Sequence, residues 1–100
     1  MNRMLNFLGL CMRAGKIISG EKACLQAIRS GGVYAVILDR ATAKNANKAV
    51  SDACTFHEVP LAYAPEFELG DAIGKPGRMV AAITDPKLAD RILQFNQADL

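Results

Sequence analysis

A chain of 100 residues with 51% hydrophobic and 22% charged residues can bury over half of its unfolded surface as one domain, residues 1–100, and is too short for two ordinary ones. No apolar run approaches the roughly twenty residues of a membrane span, so a soluble, cytoplasmic protein is expected. The formal net charge of +2 hides a division: residues 1–50 hold eight Lys or Arg against two acids and residues 51–100 hold four against eight, giving halves of +6 and −4. Such asymmetry is what a nucleic-acid-binding face on a near-neutral domain gives.

Taken in order, Met4, Leu5, Phe7, Leu8, Cys11 and Met12 recur at helical spacing and predict an apolar helix from Asn2 to Ala14. Its apolar part is brief, is phased as a helix face and is followed by no convincing cleavage site, which argues against a signal peptide. Gly15 and Lys16 end it, Ile17 and Ile18 form a very short strand, and Ser19 is the natural N-cap of a helix running from Gly20 until Gly31 and Gly32 stop it. On that helix Lys22, Gln26 and Arg29 share one face, while Ala23, Cys24, Ala27 and Ile28 share the face turned to the core. A helix mouth with free amides beside Lys16 and Lys22 suits a phosphate group, although a capped helix with a solvated basic face has the same sequence.

Val33 to Leu38, VYAVIL, reads as a buried central strand, and Asp39 to Thr42 as a strand-to-helix loop with Thr42 as cap. The helix that follows turns Ala46, Ala49, Val50, Ala53 and Cys54 inward and Lys44, Asn47 and Lys48 outward. After Val59 and Pro60, Leu61 to Ala64 form another strand, and Pro65 resets the chain for a short helix carrying Phe67, Leu69, Ala72 and Ile73 and ending at Gly74. The loop Gly74 to Arg78, GKPGR, leads to a last strand from Met79 to Thr84. Asp85 and Pro86 are then a cap and first position for a final helix that packs through Leu88, Ala89, Ile92, Leu93 and Phe95. Short strands alternating with helices predict an α/β fold, a three-layer α/β/α sandwich with a four-stranded mixed sheet.

Chemistry has little to stand on. Cys11, Cys24 and Cys54 are odd in number and set among apolar neighbours, which predicts reduced, buried thiols. Cys54 and His57 are half of a metal-binding spacing with no second pair to complete it, so no metal is expected. His57 is the only histidine, and no glycine elbow accompanies it, so no catalysis is expected. The stretch Gly70 to Lys75 fails as a P-loop, because the glycine interval is short and Pro76 replaces the magnesium-binding hydroxyl. No cofactor is expected.

In combination, LGLCMRAGKIISGEKACLQAIRSG, VILDRA, EVP and ELGDAIGKPGRMVAAITD resemble the bacterial branch of the kink-turn-binding ribosomal proteins, the L-seven-Ae and L-thirty-e superfamily. The resemblance runs through nearly the whole chain in the expected order. It implies a cytoplasmic, monomeric, ribosome-associated protein that binds kink-turn RNA without catalysis, DNA or a membrane. It implies that the second helix enters the RNA groove at Gly20, Glu21, Lys22, Ala23 and Gln26, and that Ile73, Gly74, Lys75 and Arg78 meet bulged nucleotides, Ile73 by packing on splayed bases. Lys16 and Arg40 are further expected RNA contacts, Lys16 as a phosphate contact because it lies at a helix end outside the base-reading turn. The archaeal pattern has Asn-Glu at positions 22 and 23 and Lys at 26; Lys22 matches the lysine of some bacterial relatives and has the donors to read guanine O6 and N7. The reading from a different class is a small adaptor that acts through protein contacts alone.

Overall fold

The computed structural model describes residues 2–98, with side-chain surroundings given through Phe95. Nine elements follow one another: α1 (Arg3–Arg13), β1 (Ile17–Ser19), α2 (Glu21–Ser30), β2 (Ala35–Asp39), α3 (Lys44–Phe56), β3 (Leu61–Ala64), α4 (Leu69–Ala72), β4 (Val80–Ile83) and α5 (Pro86–Ala98). The four strands stand in the order β1-β4-β2-β3. β4 is antiparallel to both its neighbours, Ile18 opposite Ala82 and Val36 opposite Ala82, whereas β2 and β3 are parallel with Ile37 opposite Ala62. The sheet is therefore mixed, as expected.

Alternation along the strands divides the core into two layers. Ala35, Ile37, Ala62, Ala64, Ala81 and Ile83 face one side, where Leu5, Leu8, Leu69 and Ile92 bring α1, α4 and α5 onto the sheet. Val36, Leu38, Val80 and Ala82 face the other, against Cys24 and Ile28 of α2 and Val50 and Cys54 of α3. β2 is buried at all five positions, which is why its sequence reads as a continuous apolar run.

Local signals explain most boundaries. The Asn2 side chain accepts from Leu5 N and caps α1. Gly15, at φ 73°, closes α1 with a double turn in which Gly15 N donates to Met12 O and Lys16 N to Cys11 O, the Schellman arrangement that glycine permits. Asp85 Oδ1 accepts from Lys87 N at 2.9 Å and Leu88 N at 3.0 Å and starts α5.

Several expectations are corrected. Ser19 does not cap α2: it belongs to β1, opposite Ala81, and Gly20 takes the N-cap place with φ 99°. Thr42 does not cap α3 either, because its hydroxyl donates to Asp39 O and Ala43 precedes the helix. Ala23 is exposed, leaving Cys24, Ala27 and Ile28 as the inward face of α2. Phe67 lies before α4, is 67% exposed and has φ 62°.

Candidate nucleic-acid interface

The antiparallel and parallel pairings place the C-terminal ends of β1, β2 and β3 at the same end of the sheet as the N-terminal end of β4. Around this end lie the start of α2, the β2–α3 loop with Arg40, the β3–α4 turn with Phe67, and the Gly74–Arg78 loop.

The start of α2 is built by the sheet. Gly20 N donates to Val80 O at 2.9 Å, so the ladder between β1 and β4 extends into the helix cap. No side chain caps this helix, and its first-turn amides face outward with the positive end of the helix dipole. Arg78 crosses to the same place: its Nη1 donates to Ser19 Oγ at 2.8 Å and to Ser19 O at 3.1 Å. A side chain at Gly20 would come within 3.4 Å of Arg78 Nη1 and would have to adopt φ 99°, so glycine answers both a backbone and a packing demand.

The Gly74–Arg78 loop is folded tightly onto α4. Lys75 N donates to Gly70 O at 2.8 Å and Arg78 N to Lys75 O at 3.1 Å. Gly70 is buried, and a Cβ there would stand 2.7 Å from Lys75 O and 2.9 Å from Gly77 N. The missing side chain is what lets the loop descend.

The remaining turns meet on a residue that periodicity did not single out. Asp39 is wholly buried, and its carboxylate accepts from Ala41 N at 2.8 Å, Phe67 N at 2.8 Å and Leu69 N at 3.1 Å. Three amides from two loops satisfy the buried charge. The adjacent Arg40 is exposed and lies over the Tyr63 ring, 5.8 Å from its centroid.

The structure thus gathers Gly20, Glu21, Lys22, Arg40, Gly74, Lys75 and Arg78 at one end of the sheet. Gln26 lies one turn further along α2 on the exposed face, where Lys22, Leu25, Gln26 and Arg29 line a shallow groove. Lys16 is exposed at the other end of β1, its carbonyl accepting from Thr84 N; four residue steps of extended chain set it about 13 Å from the cap. Ile73 is only 3% exposed and packs in the core with Leu69. It supports the loop from beneath and does not present itself to splayed bases. Among the described residues the ion pair formed is Lys48–Asp52, so the cations at this end are free to meet phosphate. Glu66, Glu68 and Asp71 are exposed beside them.

Chemically, the arrangement offers donors and positive charge. Burial pushes the Cys24 thiol up to about 12 and the Cys54 thiol up to about 11, and it also raises Cys11; none is an activated nucleophile. His57 is exposed at the C-terminus of α3, which delivers the chain to the opposite end of the sheet. Among the described residues no group of three or more His, Cys, Asp or Glu could hold a metal ion.

The α/β/α sandwich thus presents a helix mouth without a side-chain cap beside the exposed Lys22, Arg40, Lys75 and Arg78 at one end of the sheet. The chain belongs to the Ribosomal protein L7Ae/L30e/S12e/Gadd45 family, whose model matches residues 2–93. It is 36% identical over 89 residues to the RNA-binding protein YlxQ of Bacillus subtilis (strain 168), covering 88% of this chain and 89% of that one. It is 36% identical over 90 residues to the RNA-binding protein YlxQ of Enterococcus faecium, covering 89% and 86%. Among solved structures, a Bacillus halodurans protein of unknown function superposes with a TM-score of 0.92 at 28% identity, over 97% of this chain and 99% of that one. The Giardia lamblia 15.5kD RNA binding protein shares the fold, with a TM-score of 0.74 at 22% identity over 96% and 86%.

Proposed function

We propose that this protein is a non-catalytic, cytoplasmic RNA-binding protein that recognises kink-turn or kink-turn-like RNA as a monomer in association with the ribosome. The observation that carries this reading is the convergence of the α2 N-terminus, Arg78 and the Gly74–Arg78 loop at one end of the sheet. RNA is favoured over DNA because a kinked internal loop exposes base edges that regular A-form RNA withholds from side chains.

In this reading Gly20 and Gly74 let the RNA backbone approach, Lys22 reads a guanine edge, and Glu21 and Gln26 supply polar contacts along the groove. Arg40, Lys75 and Arg78 hold phosphates. Arg78 spends one nitrogen on Ser19 and keeps the rest of its guanidinium for the ligand. Lys16, at the far end of β1, attracts phosphate without reading bases. The test is a titration of a kink-turn, in which a bulged internal loop is followed by tandem sheared G·A pairs, and of a control duplex lacking those pairs, at several salt concentrations. Lys22→Ala should cost about 1–3 kcal/mol for the kink-turn and less for the control. Lys16→Ala should weaken both alike and lower the salt slope by about one contact. Equal binding of the two RNAs by the unaltered protein would defeat kink-turn recognition, and absence from ribosomal fractions on a sucrose gradient would defeat ribosome association.

A further inference from the structure

Among the described residues four large apolar side chains are exposed, Leu10, Tyr34, Phe56 and Phe67, and one of them stands at the cationic end of the sheet in a conformation of its own. Phe67 has φ 62°, a left-handed backbone that is uncommon for a residue other than glycine, asparagine or aspartate and strained for a bulky one. It is held there by its amide, which donates at 2.8 Å to the buried Asp39 carboxylate, while Leu69 N at 3.1 Å takes the second carboxylate oxygen. The same Asp39 carries Arg40 on its C-terminal side and donates its own amide to Met79 O, next to Arg78. A ring that contributes no core packing is thus mounted on a turn pinned to β2 and β4. Phe56, at 81% exposure, ends α3 at the opposite end of the sheet and has no such anchorage.

We propose that Phe67 is a stacking platform for an unpaired base, additional to the contacts of the Gly74–Arg78 loop. The proposal rests on the RNA-binding reading above. A turn locked before binding loses little ordering entropy when a base lands on it, and an aromatic face accepts any base. Glu66 and Glu68 flank Phe67 in sequence and are exposed; their charge repels phosphate and leaves the neutral face of a splayed nucleotide as the group that fits here. A phosphate contact at this turn is therefore disfavoured.

The experiment uses kink-turn RNAs carrying 2-aminopurine at each unpaired position in turn. Binding of the unaltered protein should quench the probe at one position, and Phe67→Asn, which accepts the left-handed turn, should abolish that quenching. The variant should lose about tenfold in affinity with an unchanged salt slope, because stacking releases no counterions. Phe67→Tyr should restore both. Unchanged affinity and quenching in Phe67→Asn, with a native circular dichroism spectrum, would overturn the platform while Lys22 dependence kept the RNA-binding reading intact. A changed salt slope would also overturn it, by marking an electrostatic role. Failure of the unaltered protein to bind any of these RNAs would defeat both readings together.

Discussion

Asp39 shows how much one buried residue can organise. Replacing it with alanine leaves the amides of Ala41, Phe67 and Leu69 without their acceptor, and orphaned donors near the core cost free energy even where water reaches some of them. Asp39→Ala should lower unfolding stability by about 2–4 kcal/mol in urea titrations, with no change in the denaturant slope. A loss below about 0.5 kcal/mol would mean that water replaces the carboxylate freely. Asp39→Asn keeps the volume but turns an amino group toward at least one of the amides, so it should fall between the two. The residue was visible in the sequence only as the end of a strand. Two of its three partners lie 28 and 30 positions away, and no periodicity links a strand terminus to amides at that distance.

At the scale of elements, glycines decide how closely neighbours approach. Gly70→Ala sets a methyl against backbone atoms at 2.7 and 2.9 Å. The helix-propensity gain of about 1 kcal/mol should be outweighed by a net loss of about 1–3 kcal/mol as the loop is lifted from α4. Melting temperature and kink-turn affinity should fall together, and a more stable variant would show that the loop yields without cost. Gly9→Ala is the comparison: its Cβ meets only Ala72 O at 3.1 Å, and the two effects should nearly cancel in the same thermal melts. The helices, the strands and the three layers were legible because amphipathic spacing and the apolar run of β2 are local patterns. Helix starts were less so. Ser19 and Thr42 have the chemistry of N-caps, yet pairing with β4 claims Ser19 and the Asp39 carbonyl claims the Thr42 hydroxyl. Tertiary hydrogen bonds won over local preference. Of the candidate interface, the charged residues were legible and Phe67 was not, since an aromatic near a helix start reads as core until its burial is known.

At the scale of the whole molecule, the second core layer sets a response to pH. Cys24 and Cys54 lie in one cluster with Val36 and Val50, and burial raises their pKa values from 9.0 to about 12 and about 11. Below pH 9.0 both folded and unfolded thiols are protonated and the groups leave stability unchanged. As pH rises past 9.0 the unfolded chain releases protons that the folded one keeps, so stability falls progressively toward about pH 11 and about pH 12. Urea titrations between neutral and alkaline pH should show this decline, and Cys24→Ala with Cys54→Ala should flatten it. A decline of equal slope in the double variant would assign it to other groups. At neutral pH a disulfide reagent should label the thiols slowly, at a rate that tracks opening of the fold.

The strand order also bears on how the protein is made. β1 pairs only with β4, although the two lie at opposite ends of the chain, and β4 separates β1 from β2. While a ribosome is still adding residues before Val80, the first strand has no neighbour, Gly20 N has no Val80 carbonyl to bond, and α2 has no fixed starting point. On the RNA-binding reading proposed above, a nascent chain halted short of β4 should therefore display Lys22 without the geometry that aims it, and binding should arrive in one late step, when β4 enters the sheet.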